Sequence, residues 1–217
     1  MKTVSQIVGD LIIRKPFLAE LLGDGLINLS SLARQLKQDV ELQYMDKVET
    51  GTIVMALKRY QNQTHLKSTI KLEKALAQII DIIVRSKLVD YTFKNSDSLV
   101  EKHIKLLKKI ANNNEVFYIF VQGVFETNLV VSESLKPEID KFFINEKRTS
   151  FTDKLSSVTL KLPAENTEVT GFYYHILRKI AWEGINIVEV ISTTNEFTIV
   201  VNDKDVDKAF SVLKSMS

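Results

Sequence analysis

A chain of 217 residues with 45% hydrophobic content can bury a sizeable core or two small ones, and its 29 basic and 27 acidic residues leave a net charge of only +2; this argues against a partner held by bulk electrostatics, such as nucleic acid or an anionic membrane. Cysteine is absent, which excludes disulfides, thiolate nucleophiles and Cys-ligated zinc and suits a reducing compartment, with the cytoplasm as the expectation. The first residues show no export-signal pattern, and no window reaches the roughly 18 apolar residues of a membrane span, since even Ile79–Val84 is interrupted at Asp81.

From Val4 onward apolar residues recur at helical spacing: Val4, Ile7, Val8, Leu11 and Ile12, then, after Pro16, Phe17, Leu18, Leu21 and Leu22 up to Gly23-Asp24-Gly25. Asn28-Leu29-Ser30-Ser31 offers capping oxygens to a helix with Leu32, Leu36 and Val40 on its apolar face. A further helix is expected after Glu49-Thr50-Gly51-Thr52, with Lys58 and Arg59 at its end, where the helix dipole favours cations. These elements make residues 1–65 a helical domain. Residues 66–87 read as a helical connector, with helix expected from about Leu72 to Arg85.

The period then changes from 3.6 to 2 at Leu88-Val89-Asp90-Tyr91-Thr92-Phe93. A basic amphipathic helix (Leu99–Ala111), strands over Val116–Val121 and Thr127–Val131 and a short helix over Pro137–Phe143 follow, and Asn145–Lys154 reads as a polar linker. The order then repeats: strand Val158–Leu162, helix Phe172–Trp182, strands Ile185–Ile191 and Glu196–Val201, helix Val206–Leu213. Strand, helix, strand, strand, helix is the pattern of a ferredoxin-like sandwich. The fold class expected is therefore α+β: an N-terminal helical bundle, then two ferredoxin-like (βαββαβ) units over 88–150 and 151–217, their antiparallel sheets covered by helices on one face.

The segments Thr170-Gly171-Phe172, Gly184-Ile185-Asn186-Ile187, Ile191-Ser192-Thr193-Thr194 and Phe197-Thr198-Ile199-Val200-Val201 closely resemble the C-terminal ACT domain of aspartokinases. A weaker copy, in Val121-Gln122-Gly123 and Glu126 to Val131, resembles the first aspartokinase ACT repeat. The resemblance implies that the chain is a regulator, not an enzyme, and needs no cofactor: no glycine-rich phosphate loop of a kinase occurs. It further implies that an amino acid binds where the first loop of one unit, entering a helix N-terminus, meets the second strand of another unit, and that the chain forms a homodimer. On that basis Glu168, Val169, Thr170 and Gly171 form the loop, and Asn186, Ile187 and Ser192 the facing strand. Backbone N–H groups at a helix start suit a carboxylate, and glycine permits close approach. The first copy has Asn95-Ser96-Asp97-Ser98 at this place, without glycine. The resemblance leaves open which strand supplies the fourth position of the second sheet, Leu88–Phe93 or the strand at Val158.

The chain lacks a metal motif: His65, His103 and His175 are far apart, and Asp203, Asp205 and Asp207 lack the glycine and distal glutamate of a calcium loop, so they read as helix-capping residues. Two alternative functions stand beside sensing: a purely structural dimerisation module, and DNA binding through the N-terminal helical domain. Ser30–Leu36 followed by Val48–Arg59 resembles a helix-turn-helix that presents Thr50, Thr52, Lys58 and Arg59. Against it, residues 1–65 carry eight basic and seven acidic residues, little of the basic bias of a DNA-binding domain. The run Lys102, Lys105, Lys108 and Lys109 reads as a solvated helix face.

Overall fold

The computed structural model describes residues 2–79, 81–111, 113 and 115–216, with Pro16, residues 62–71 and Glu73 described by backbone alone. The chain divides after Lys74 into two compact units.

The first unit contains helices α1 (Val4–Ile13), α2 (Pro16–Gly23) and α3 (Leu29–Tyr44) and most of α4 (Thr50–Leu76). Each start has a local cause. Thr3 and Gln6 form a reciprocal capping box before α1, with Thr3 N–H donating to Gln6 Oε1 at 2.9 Å and Gln6 N–H to Thr3 Oγ1 at 3.3 Å. Pro16 opens α2, and Asn28 Oδ1 accepts from Ser31 N–H at 2.9 Å to cap α3. The expected apolar stripes form one core in which Ile7, Ile12, Leu22, Leu36, Val40, Ile53 and Leu57 are almost wholly buried.

Helix α4 corrects the reading of the next segment. No glycine or proline follows Gly51 until Gly123, so nothing interrupts the helix at Arg59 and it continues to Leu76. The helix expected from Leu72 to Arg85 ends there, and Ile82–Arg85 are strand. The side chain of His65 lies outside the described residues.

The second unit has strands β1 (Ile82–Lys94), β2 (Tyr118–Gln122), β3 (Glu126–Ser132), β4 (Arg148–Lys161), β5 (Ile187–Ser192) and β6 (Glu196–Asn202), with helices α5 (Asp97–Ile110), α6 (Lys136–Phe142), α7 (Phe172–Trp182) and α8 (Val206–Lys214). Among the described residues the strands form one six-stranded sheet, ordered β2-β3-β1-β4-β6-β5, and every neighbouring pair is antiparallel. A single continuous sheet thus joins the two halves, whose sheets were expected to be completed by a strand shared between them. The polar linker expected over Asn145–Lys154 is another correction: Arg148–Lys154 belong to β4, because their backbone groups complete the ladder along β1.

Both long strands serve the two halves of the sheet. Leu88–Lys94 of β1 pair with β3 on one side and, with breaks in register, with Arg148–Leu155 on the other. Earlier in β1, Ile82–Arg85 pair with Ser157–Leu160, while Leu155–Lys161 of β4 pair with β6. The fourth position beside β6 and β4 is therefore taken by Ile82–Arg85, upstream of both stretches considered from sequence. Each long strand bends at a lysine in the left-handed region, Lys87 at φ 59° and Lys154 at φ 55°. The bend is a bulge that redirects the strand from one half to the other.

Side-chain alternation sends Val89, Tyr91 and Phe93 of β1 to the face covered by α5 and α6, where they pack with Leu99, Leu106 and Ile139. The opposite face has its own apolar cluster: Leu88, Val130, Leu155 and Val200 are almost wholly buried, with Phe117, Ile119, Val188 and Ile191 against them. Because both faces carry apolar side chains, β3 and β6 contain the short apolar runs Leu129–Val131 and Ile199–Val201 rather than clean alternations.

Candidate functional site

The loop from β4 to α7 is held by one buried side chain. Asn166, 1% exposed, donates from Nδ2 to Pro163 O and to Thr194 O, both at 2.7 Å, which pins the loop to the turn between β5 and β6. Tyr173, in the first turn of α7, donates its hydroxyl hydrogen to Asn166 Oδ1 at 3.3 Å, and its hydroxyl lies 3.2 Å from Ser192 Oγ. Neither Asn166 nor Tyr173 was singled out from the sequence. The one available signal was a polar Asn-Thr pair between two apolar runs.

Four of the expected residues, Glu168, Val169, Thr170 and Gly171, lie together in this loop. Val169 is buried, so only its backbone faces outward, and Thr170 and Gly171 are exposed. Gly171 is the N-cap of α7 at φ 84°, with no side-chain cap and open space in the direction of a Cβ. Conformation, not crowding, favours glycine there. Val169 N–H donates to Asn166 O and Phe172 N–H to Val169 O; among the described residues the N–H groups of Thr170 and Gly171 have no partner. Two unpaired donors at a helix start make a carboxylate-accepting geometry.

Ser192 is brought to the loop through Tyr173, but Asn186 and Ile187 are not. They lie at the opposite end of β5, where the chain leaves α7 through Gly184 at φ 68°. Nearly the length of a six-residue strand, about 17 Å, separates them from Ser192. A site within this half therefore combines Glu168–Gly171 with Ser192. Asn186 and Ile187 lie where only the loop of another unit could meet them, the arrangement the resemblance implies.

The first half has a corresponding loop with a different occupant. Asn95 Nδ2 donates to Gly123 O at 2.8 Å, pinning the loop to the β2–β3 turn as Asn166 does in the other half. At the start of α5, however, the Glu146 carboxylate accepts hydrogen bonds from Ser96 Oγ and Ser98 Oγ, each at 2.6 Å, and from Lys102 Nζ at 2.5 Å. Its side chain is 3% exposed. Burial alone would raise its pKa, but the bonds from Lys102, Ser96 and Ser98 and the Lys102 charge hold it below the usual carboxylate range. A carboxylate of the chain itself occupies this helix start.

Across the other face of the sheet, Asn128 Nδ2 donates to Asp90 Oδ1 at 2.7 Å and to Glu189 Oε1 at 3.0 Å, linking the two halves. Burial raises the pKa of both carboxyls, offset at Asp90 by the Asn128 bond and reinforced at Glu189 by the Asp90 charge. A cleft of about 620 Å³ on this face is lined in part by Arg85, Phe117, Ile191 and Ser192.

The remaining expectations resolve as follows. Among the described residues no group of three or more His, Cys, Asp or Glu could hold a metal. His103 stacks on Phe120 with ring centroids 3.6 Å apart, and burial lowers its pKa. Asp205 precedes α8 without capping it by its side chain, and Asp203 instead accepts from Ser156 Oγ at 2.6 Å. The lysine run is not simply solvated, since Lys102 binds Glu146 and Lys109 lies 3.0 Å from Glu138. On α4, Thr52, Lys58 and Arg59 are exposed and Thr50, its first residue, is half-buried. The connection from α3 spans Met45–Glu49, longer than the three- or four-residue turn of DNA-binding helix pairs. No helix among the described residues is long and apolar enough to cross a membrane.

No family model matches the chain, and no curated protein matches it. Solved structures do. The aspartate kinase of Clostridium acetobutylicum superposes with a TM-score of 0.52 at 16% identity, over 64% of this chain and 34% of the kinase, so the chain spans only about a third of that protein. The regulatory subunit of aspartate kinase from Thermus thermophilus matches with a TM-score of 0.51 at 8% identity, over 64% of this chain and 97% of the subunit. The aspartate kinase of Synechocystis gives 0.51 at 12% identity, over 63% of this chain and 26% of that one. At such identities the likeness is one of fold: over about two thirds of its length the chain has the fold of the regulatory region of aspartate kinases, as the ACT resemblance implied.

Proposed function

We propose that the chain is a non-catalytic regulatory protein that senses an amino acid through two ACT-type, ferredoxin-like units, working as a homodimer. The observation that carries this reading is the exchange of strands: Ile82–Arg85 fill the fourth position beside β4 and β6, and Arg148–Leu155 fill it beside β1 and β3, so the halves complete each other in the fold of an aspartate kinase regulatory subunit. In this reading the shared strands are the route by which a change at one loop biases the other half.

The ligand site we propose lies in the second half, at Glu168–Gly171 with Ser192. The free N–H groups of Thr170 and Gly171 receive the ligand carboxylate, and Asn166 and Tyr173 hold the loop in place. The equivalent place in the first half is filled by Glu146, so the two loops differ in function. Asn186 and Ile187, at the far end of β5, belong in this proposal to the dimer contact.

A thermal-shift screen of the twenty amino acids tests the reading. A true ligand at about 100 times its dissociation constant stabilises the folded chain by about 2.7 kcal/mol. No shift with any of them refutes sensing. A shift that persists unchanged in Gly171→Ala, whose Cβ would strain the φ 84° cap, refutes the loop as the site.

A further inference from the structure

A second pocket lies on the helix-covered side of the first half, away from the Glu168–Gly171 loop. It has a volume of about 350 Å³ and is lined by Tyr91 and Phe93 of β1, Asp140 of α6, and Phe143, Glu146 and Arg148. That size lies within the range of small-molecule sites, about 300–1,000 Å³. The pocket is built rather than incidental. Its floor is apolar and fixed but nearly covered, Tyr91, Phe93 and Phe143 being 1%, 2% and 3% exposed, with Tyr91 and Phe93 stacked at 5.9 Å and Phe93 and Phe143 at 5.2 Å; the apolar surface open to a ligand is that of Ile144, which is 76% exposed.

Two charges of opposite sign stand above this floor and satisfy each other poorly. Arg148 Nη1 is 3.8 Å from Asp140 Oδ1, too far for a hydrogen bond, and both side chains are 50% exposed. Among the described residues the Arg148 guanidinium donates no hydrogen bond; it rests over the rings of Tyr91 at 5.9 Å and Phe151 at 5.3 Å. A guanidinium has five N–H donors in a planar fork that matches a carboxylate. Among the described residues Asp140 accepts only a long 3.5 Å contact from the Tyr91 hydroxyl. Burial and the Asp140 charge push that hydroxyl up to about 12, so it stays protonated and remains a donor. The third charge, Glu146, is already committed to Ser96, Ser98 and Lys102.

An unsatisfied cation and an unsatisfied anion a few ångströms apart over an aromatic floor are complementary to a zwitterion with an apolar side chain. We propose that this pocket binds an α-amino acid with an aliphatic or aromatic side chain: Arg148 takes the carboxylate, Asp140 the ammonium, and the side chain lies against the exposed Ile144 at the edge of the aromatic floor. The choice of an amino acid rests on the function proposed above; the charge pair and floor stand independently of it. An exposed pair at this separation gains little from its own attraction, so a ligand that inserts between the two charges forfeits little.

Titration calorimetry on the full chain with L-leucine and L-phenylalanine, alongside phenylpropionate (no amine) and phenethylamine (no carboxylate), tests the assignment. The expected result is saturable binding of at least one amino acid, with both single-charge analogues weaker by about tenfold or more. Arg148→Gln and Asp140→Asn each weaken it by about tenfold or more, Arg148→Lys recovers part of the loss, and Gly171→Ala, which removes only binding at the Glu168–Gly171 loop, leaves the component that depends on Arg148 and Asp140 intact. Both sites are half exposed, so the unfolding midpoint of the unliganded variants, measured in parallel, stays near that of the parent and separates lost binding from lost fold. Affinity unchanged in Arg148→Gln and Asp140→Asn overturns the pocket. If an amino acid binds and is lost only in Gly171→Ala, the pocket falls and the sensing function stands; if no amino acid binds the parent chain, both fall.

Discussion

Glu146 shows how much a single buried side chain can hold together. Its carboxylate accepts three hydrogen bonds at 2.5–2.6 Å and neutralises Lys102, whose side chain is only 19% exposed. Removing it strands a cation and two hydroxyls, so Glu146→Ala is expected to lower the unfolding free energy by about 3 kcal/mol in urea titration. Glu146→Gln keeps an acceptor for the serines and should lose less; equal losses would show that the charge of Glu146 is irrelevant. Because this carboxyl is held below its usual range, its contribution is present above the ordinary carboxylate value and fades as pH falls through the lowered one. Asp90 has the opposite sign. Its pKa is raised by burial, so the folded state resists its ionisation, and stability tied to it is full at low pH and lost as pH rises through the raised value. Asp90→Asn is therefore expected to raise the urea midpoint at pH 7 and to lose that advantage toward pH 4. An advantage of constant size across that range would remove ionisation as its cause. None of this was legible in sequence: Glu146 meets Ser96 fifty residues away, and Asn128 meets Glu189 sixty-one residues away. Gly171 was legible, because a positive φ at a helix start is a local requirement that glycine meets most readily.

The elements themselves divide by the same logic. Helix α7, strand β3 and helix α8 fall within about two residues of where periodicity and capping place them, since each depends on neighbours three or four positions away along a helix or two along a strand. Strands β1 and β4 do not. Ile82–Arg85 are too short and Arg148–Lys154 too polar to declare a strand, and both extend because a partner strand stands ready to pair with them. The bulges at Lys87 and Lys154 belong to that shared pairing, and lysine at φ 59° and 55° carries the cost of a left-handed backbone. Glycine at either position should relieve it, so Lys154→Gly is expected to hold or raise the thermal midpoint, whereas Lys154→Val should lower stability by about 1–2 kcal/mol. A valine variant as stable as the parent would show that the bulge is not strained. Packing behind the bulges predicts a larger effect: Leu155 is wholly buried in the apolar cluster of the face opposite α5 and α6, and Leu155→Ala should cost about 2–5 kcal/mol in chemical denaturation.

Over the whole molecule, the helical unit up to Lys74 and the sheet unit from Ala75 onward each have their own buried core. Independent cores predict independent folding, so residues 75–217 expressed alone should give a single cooperative calorimetric transition and near-parental spectra for the sheet. A fragment without cooperative unfolding would mean that the sheet unit depends on the helices before it. The sequence by itself determined the class of each half, the repeated order of strand, helix, strand, strand, helix, and the glycine at the entry to α7. These follow from hydrophobic period, capping and backbone freedom, all of which act over a few residues. Only the tertiary structure decided that the halves share one sheet, that Ile82–Arg85 fill its open position, and that Glu146 occupies one loop while the other is held by Asn166 and left open. Strand edges and buried polar groups accept whichever partner the folded chain brings to them, and that choice is made by the sum of distant contacts rather than by any local stretch of residues.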